Sequence, residues 1–209
     1  YIPYWNYYSS TDSNYTGKRG DDYYVTQTYT SNGETKTRRV KRTRWTHVRG
    51  NVKNSFDDIL ILASRSLPKK KTDKLEPWDL ENLVPFDEKF LSGFKSESYQ
   101  VGLTEGFDEA KGIMNKEIRR SVKKDIGGDH QMIHTLNTKY DDITFKHILL
   151  PVWISAYRFK EKVYRFMVNA RTGEVHGERP WCWWKIALAV LAGLAIIGGA
   201  AYLIMEYGK

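Results

Sequence analysis

Seven cations crowd one stretch of the sequence: Lys36, Arg38, Arg39, Lys41, Arg42, Arg44 and Arg49. Such a cluster suits phosphates, in DNA, RNA or lipid headgroups. Tyr23, Tyr24, Tyr29 and Trp45 lie close by, and their rings are of the kind that stack on bases. The same charges equally suit a solvated sheet edge that repels edge-to-edge aggregation. His130 and His134, following Asp129, form a weaker pattern. On one side of a strand they make part of a metal site, but ordinary surface and packing roles explain them more simply. Asp57-Asp58 and Asp141-Asp142 are acid pairs at expected strand starts, where turn and cap roles are simpler than acid–base chemistry. Cys182 is the single cysteine, so neither a disulfide framework nor a cysteine zinc cage forms within the chain. The sequence carries no G-x-x-x-x-G-K-S/T, G-x-S-x-G or H-E-x-x-H. The reading is non-enzymatic, with no catalytic residues, no metal site and no cofactor.

The basic cluster needs an element to carry it. Residues 23–30 and 34–45 flank Asn32-Gly33, a pair that tolerates the positive φ of a type I′ hairpin turn. In that register facing residue numbers sum to 65, which puts Val25 opposite Val40, Thr28 opposite Thr37 and Tyr24 opposite Lys41. Few ribbon positions are apolar, so the hairpin is expected to be long, exposed at its tip and outside the core. Residues 56–63 read as a buried strand and 64–74 as a Lys-rich loop. An irregular segment follows to about Phe94, broken by Pro77 and Pro85, with packing expected from Trp78, Leu80, Leu83, Phe86, Phe90 and Phe94.

A helix is expected over 105–126, with Thr104 as N-cap and Phe107, Ala110, Met114, Ile118 and Val122 on one apolar face. Ile113 widens that face, and Gly127-Gly128 stops the helix. Strands over 130–139, 144–159 (bent at Pro151), Lys162–Asn169 and 174–178 make a meander. Residues 186–205 run without a charge, a length that matches about 30 Å of hydrocarbon. The span residues are Ile186, Leu188, Val190, Leu191, Leu194, Ile196, Ile197, Leu203 and Ile204. Trp181, Trp183, Trp184, Tyr202 and Tyr207 read as aromatic belts. Ala189, Gly193, Ala195 and Gly199 form a small-residue face for helix packing, which also allows an oligomer. Cationic residues before the span keep the soluble part in the cytoplasm.

The 209 residues carry 33 Lys and Arg against 25 Asp and Glu, a net charge of +8 that suits an anionic partner. Mean hydropathy is −0.58, an average that hides the apolar C-terminal run. Four regions result: 1–66, β-rich with the basic hairpin; 67–103, a connector; 104–180, helix plus meander; and 181–207, belt and span. The fold class is α+β, mostly antiparallel sheets with one long amphipathic helix, then a single C-terminal transmembrane helix. Ile2-Pro3-Tyr4-Trp5 faintly echoes Leu150-Pro151-Val152-Trp153.

Asp125-Ile126-Gly127-Gly128-Asp129, the run from Thr144 through Leu150-Pro151-Val152-Trp153-Ile154, and Gly177-Glu178-Arg179-Pro180 together resemble a bacterial family. It is one labelled as TFIIB-type zinc-ribbon or "primosomal protein N′, superfamily II helicase"-like. Phe56-Asp57-Asp58 and Leu75-Glu76-Pro77-Trp78-Asp79-Leu80 fit the same likeness. The helicase label finds no phosphate loop here, and the ribbon cysteines are absent from these residues. The resemblance implies a membrane-stress setting and an oligomeric SPFH (flotillin/stomatin-like) partner. The resulting expectation is a tail-anchored adaptor on the cytoplasmic side of the bacterial inner membrane, with membrane lipid and a protein as partners. The alternative is a nucleic-acid-binding protein that uses the basic hairpin.

Overall fold

The computed structural model describes residues 1–31 and 34–207; the side chains at 31, 34, 200–205 and 207 lie outside this description, as does the turn expectation at Asn32-Gly33. Two strands dominate, β1 (Ile2–Ser31) and β2 (Glu34–Leu62). They pair antiparallel along their whole length, in the register that sets Val25 against Val40 and Tyr24 against Lys41. The separate strand expected over 56–63 is the far end of β2. At about 3.3 Å per residue the hairpin is roughly 100 Å long.

The hairpin has two halves. From Ile2 to Gly20, β1 is the central strand of a three-stranded sheet, flanked by β2 and by β3 (His130–Leu150). Helix α2 (Leu103–Ile126) covers one face of that sheet. Ala110, Met114, Ile118, Val122 and Ile126 recur at helical spacing and are buried against Trp5, Tyr7, Tyr15, Phe56 and Ile61. Two expectations for α2 are corrected. Its N-cap is Gly102 rather than Thr104, with no side-chain cap. Ile113 is 43% exposed and does not widen the packed face. Tyr7 Oη donates to Leu103 O at 2.6 Å and Trp5 Nε1 to Val101 O at 2.8 Å, which ties down the helix entry. A Cβ on Gly106 would sit 2.6 Å from Tyr7 Oη, so this crossing needs glycine. Gly127 and Gly128 take positive φ and turn the chain into β3.

Each acid pair meets a bulge. Tyr8 is opposed on β2 by Asp57 and Asp58, and Ser9 on β3 by Asp142 and Ile143, where the registers shift. Asp58 and Asp142 have φ of 57° and 52°, a conformation aspartate tolerates better than most residues. Asp58 Oδ1 accepts from Asn6 Nδ2 at 2.7 Å and from Tyr8 Oη at 2.7 Å, and these bonds hold its carboxyl below the usual range.

The strand expected over 144–159 belongs to two sheets. β3 ends at Leu150, and after Pro151 β4 (Val152–Phe159) pairs with β5 (Lys162–Asn169), which pairs with β6 (Val175–Gly177). Lys160 and Glu161 both take positive φ at the β4–β5 turn. Asn169 Oδ1 accepts from the backbone N–H of Arg171 and Thr172, and its Nδ2 donates to Leu75 O and Pro77 O. This buried amide joins the second sheet to the connector. The stretch expected as a loop there holds a short helix α1 (Lys69–Thr72), followed by a 3-10 turn.

The transmembrane expectation is overturned. The chain does form a last helix, α3 (Trp183–Tyr207), but among the described residues no helix is long and apolar enough to cross a membrane. The single-pass tail anchor and the inner-membrane address fall with it. Leu188, Val190, Leu191, Leu194, Ile196 and Ile197 are exposed, Ile186 sits at 36%, and Trp181, Trp183 and Trp184 are exposed, with Arg179 over the Trp181 ring. The expectations at Tyr202, Leu203, Ile204 and Tyr207 concern side chains outside the described residues.

Candidate functional site

Beyond Gly20 the third strand and the helix end, and β1 and β2 continue as a bare two-stranded arm. Cross-strand partners share a face, so the arm's two sides can be assigned from register. One side carries Lys36 opposite Tyr29, Arg38 opposite Gln27, Val40 opposite Val25, Arg42 opposite Tyr23 and Arg44 opposite Asp21. Asn54, two-residue steps further along β2, donates to Ser121 of α2 at 2.8 Å. This cationic side therefore continues the helix-covered face of the body. The other side carries Arg39, Lys41 and Tyr24. All six predicted anion-binding residues, Lys36, Arg38, Arg39, Lys41, Arg42 and Arg44, are exposed.

Their surroundings differ. Arg38 donates to Gln27 Oε1 and lies over the Tyr29 ring; Arg39 lies over the Tyr24 ring at 5.0 Å. Arg42 and Arg44 make no ion pair among the described residues. Lys41 is neutralised by Asp22 at 2.6 Å, at the arm's root. Asp22 also accepts from Thr43 Oγ1 and sits 3.0 Å from His130 Nε2. The Lys41 hydrogen bond first, then Thr43 and His130, lower the Asp22 carboxyl to about 2. His130 thus belongs to an ion-pair knot, while His134 stacks on His47. Among the described residues no group of three potential ligands gathers around a metal.

Two places were not foreseen from sequence. On the sheet face away from α2, Lys18, His47, Arg49 and His134 surround a shallow depression. Their grouping depends on a three-strand register, which includes a shift between Thr16 and Gly17 on β3's side. The second place is an apolar cleft of about 670 Å3 at the opposite end from the arm. The connector builds its wall from Trp78, Leu83, Phe86, Phe90 and Tyr99, and the end of β3 builds its floor. Phe86 and Phe90 are 66% and 49% exposed, so the packing expected of them is corrected: they line an open groove. Leu83 and Phe94 are exposed too, whereas Trp78 and Leu80 do pack on the Ile2–Tyr4 cluster. His147 packs at a tilt against Trp5 and edge-on to Tyr99 on the floor, and burial lowers its pKa. Arg171 and Asp79 pair at 2.6 Å on the rim.

The small residues Ala189, Gly193, Ala195 and Gly199 sit on α3, where a Cβ added at Gly193 or Gly199 would meet no atom of another element within 4 Å among the described residues.

No family model matches the chain. It is 29% identical over 154 residues, 71% of its own length, to the uncharacterized protein YdjG of Bacillus subtilis. The matched part is 42% of that relative, so the chain spans less than half of its length. No solved structure matches.

Proposed function

We propose that this chain is a non-enzymatic adaptor that holds a protein partner. The observation that carries the reading is its two-ended build. An apolar cleft lies at one end of a ladder roughly 100 Å long, and an exposed basic arm lies at the other. Clefts of this size lined by aromatic side chains are typical anchor points for apolar groups of a partner. A ladder that keeps two unlike surfaces far apart suits bridging better than catalysis, which needs reactive groups to converge.

The family resemblance names an oligomeric SPFH-type assembly as the partner to try. Phe86→Asp with Phe90→Asp should weaken co-sedimentation with such an oligomer at least tenfold, the scale of an aromatic anchor. Co-sedimentation equal to wild type in this double variant would sink the reading.

A further inference from the structure

We propose that the basic arm is a duplex-DNA clasp, a β-ribbon that enters the major groove. This goes beyond the adaptor reading and does not depend on the cleft.

The dimensions fit. From Asp21 to Ser31 the arm extends about 34 Å past the body, close to one helical turn of B-form DNA. The major groove, about 12 Å wide, admits a two-stranded ribbon. Contacts from the body stop at the arm's root, where Asp129 and His130 meet Asp22 and Trp45; among the described residues no helix or third strand covers the arm beyond it, since α2 ends at Ile126 and β3 pairs no further than Gly20.

The charge layout selects the ligand. Arg38, Arg42 and Arg44 lie on one side with Tyr23 and Tyr29, while Arg39 lies on the other. A vesicle surface or a flat acidic protein touches one side of a ribbon. A groove encloses it, so the β2 cations on both sides reach phosphates. Two acids at the arm's root are already paired, Asp21 with Arg19 at 2.9 Å and Asp22 with Lys41, and among the described residues neither makes an ion pair with Arg42 or Arg44. Arg38 and Arg39 are held over tyrosine rings, which orders their planar forks before any ligand arrives. Tyr23 and Tyr29 add phenol groups beside the base edges.

The test uses the full chain and four probes: mixed-sequence duplex DNA of about 24 base pairs, the matching single strand, anionic phospholipid vesicles and polyglutamate. Duplex should bind tightest at about 50 mM salt and weaken steeply as salt rises. R38Q/R42Q/R44Q should flatten the log–log salt slope by about 2.7, since each phosphate contact contributes about 0.9, and should lower affinity at least tenfold. Arg39→Gln alone should weaken duplex binding several-fold. Lys116→Gln, on the outer face of α2, should change nothing. Absence of duplex binding at low salt overturns the proposal, as does equal or tighter binding of the single strand, vesicles or polyglutamate. A normal affinity in Arg39→Gln, with loss in the triple variant, also overturns groove entry in favour of one-sided contact. None of these variants touches the cleft, so co-sedimentation with the SPFH-type oligomer remains a separate readout.

Discussion

The two halves of the β1–β2 hairpin share one ladder and one hydrogen-bonding pattern, yet they live under different physics. Between Ile2 and Gly20 the pair is flanked by β3 and roofed by α2, and its inward side chains are Trp5, Tyr7 and Tyr15. Beyond Gly20 the same inward-facing row becomes Tyr23, Val25, Gln27 and Tyr29, facing a row of cations. The near half owes its order to burial. The far half owes its order to continuity with the near half, because a lone two-stranded ribbon is marginal in water. Stability and binding are thus separable along a single pair of strands.

That separation can be broken in ranked steps. The largest effect should come from Met114→Ala, which empties a fully buried site between α2 and the sheet. It should cost about 2–5 kcal/mol, read by urea unfolding. Gly106→Ala comes next: the new methyl meets Tyr7 Oη, and we expect a loss of about 1–3 kcal/mol in the same assay. Arg42→Gln with Arg44→Gln should leave global unfolding within about 0.5 kcal/mol of wild type, because those side chains touch no core. A large loss there would show that the arm is part of the cooperative unit.

The smallest effect is at the junction. Asp22 is lowered to about 2 when folded. A depressed carboxylate stabilises above its unfolded pKa of about 4, and that contribution disappears as pH falls from there through about 2. A 13C titration of the carboxyl carbons should show the Asp22 step near 2, and Lys41→Gln should move it upward.

Much of this pattern was readable from residues. The hairpin register followed from one Asn-Gly pair and the numbers that sum to 65. The α2 stripe followed from spacing at Ala110, Met114, Ile118 and Val122, and β5 from its two flanking turns. What stayed hidden depends on long-range pairing. Alternating polar residues such as Ser9, Thr11 and Ser13 look like a surface strand, but they lie buried in the central strand, where Ser13 bonds Thr138 across to β3. The connector's Phe86 and Phe90 are apolar, and apolarity alone does not distinguish a core from the wall of a groove. At the C-terminus the uninterrupted apolar run suggested a membrane span, and the described helix does not supply one.

The paired bulges carry a mechanical consequence. Both neighbours of β1 loosen at the same level, beside Tyr8 and Ser9, which leaves a crease across all three strands. Ser31 lies about 70 Å further along the ladder. A tilt of about 5° at that crease would sweep the arm's end through about 6 Å, roughly the width of a minor groove. The two aspartates at positive φ therefore set where a distant row of arginines is aimed.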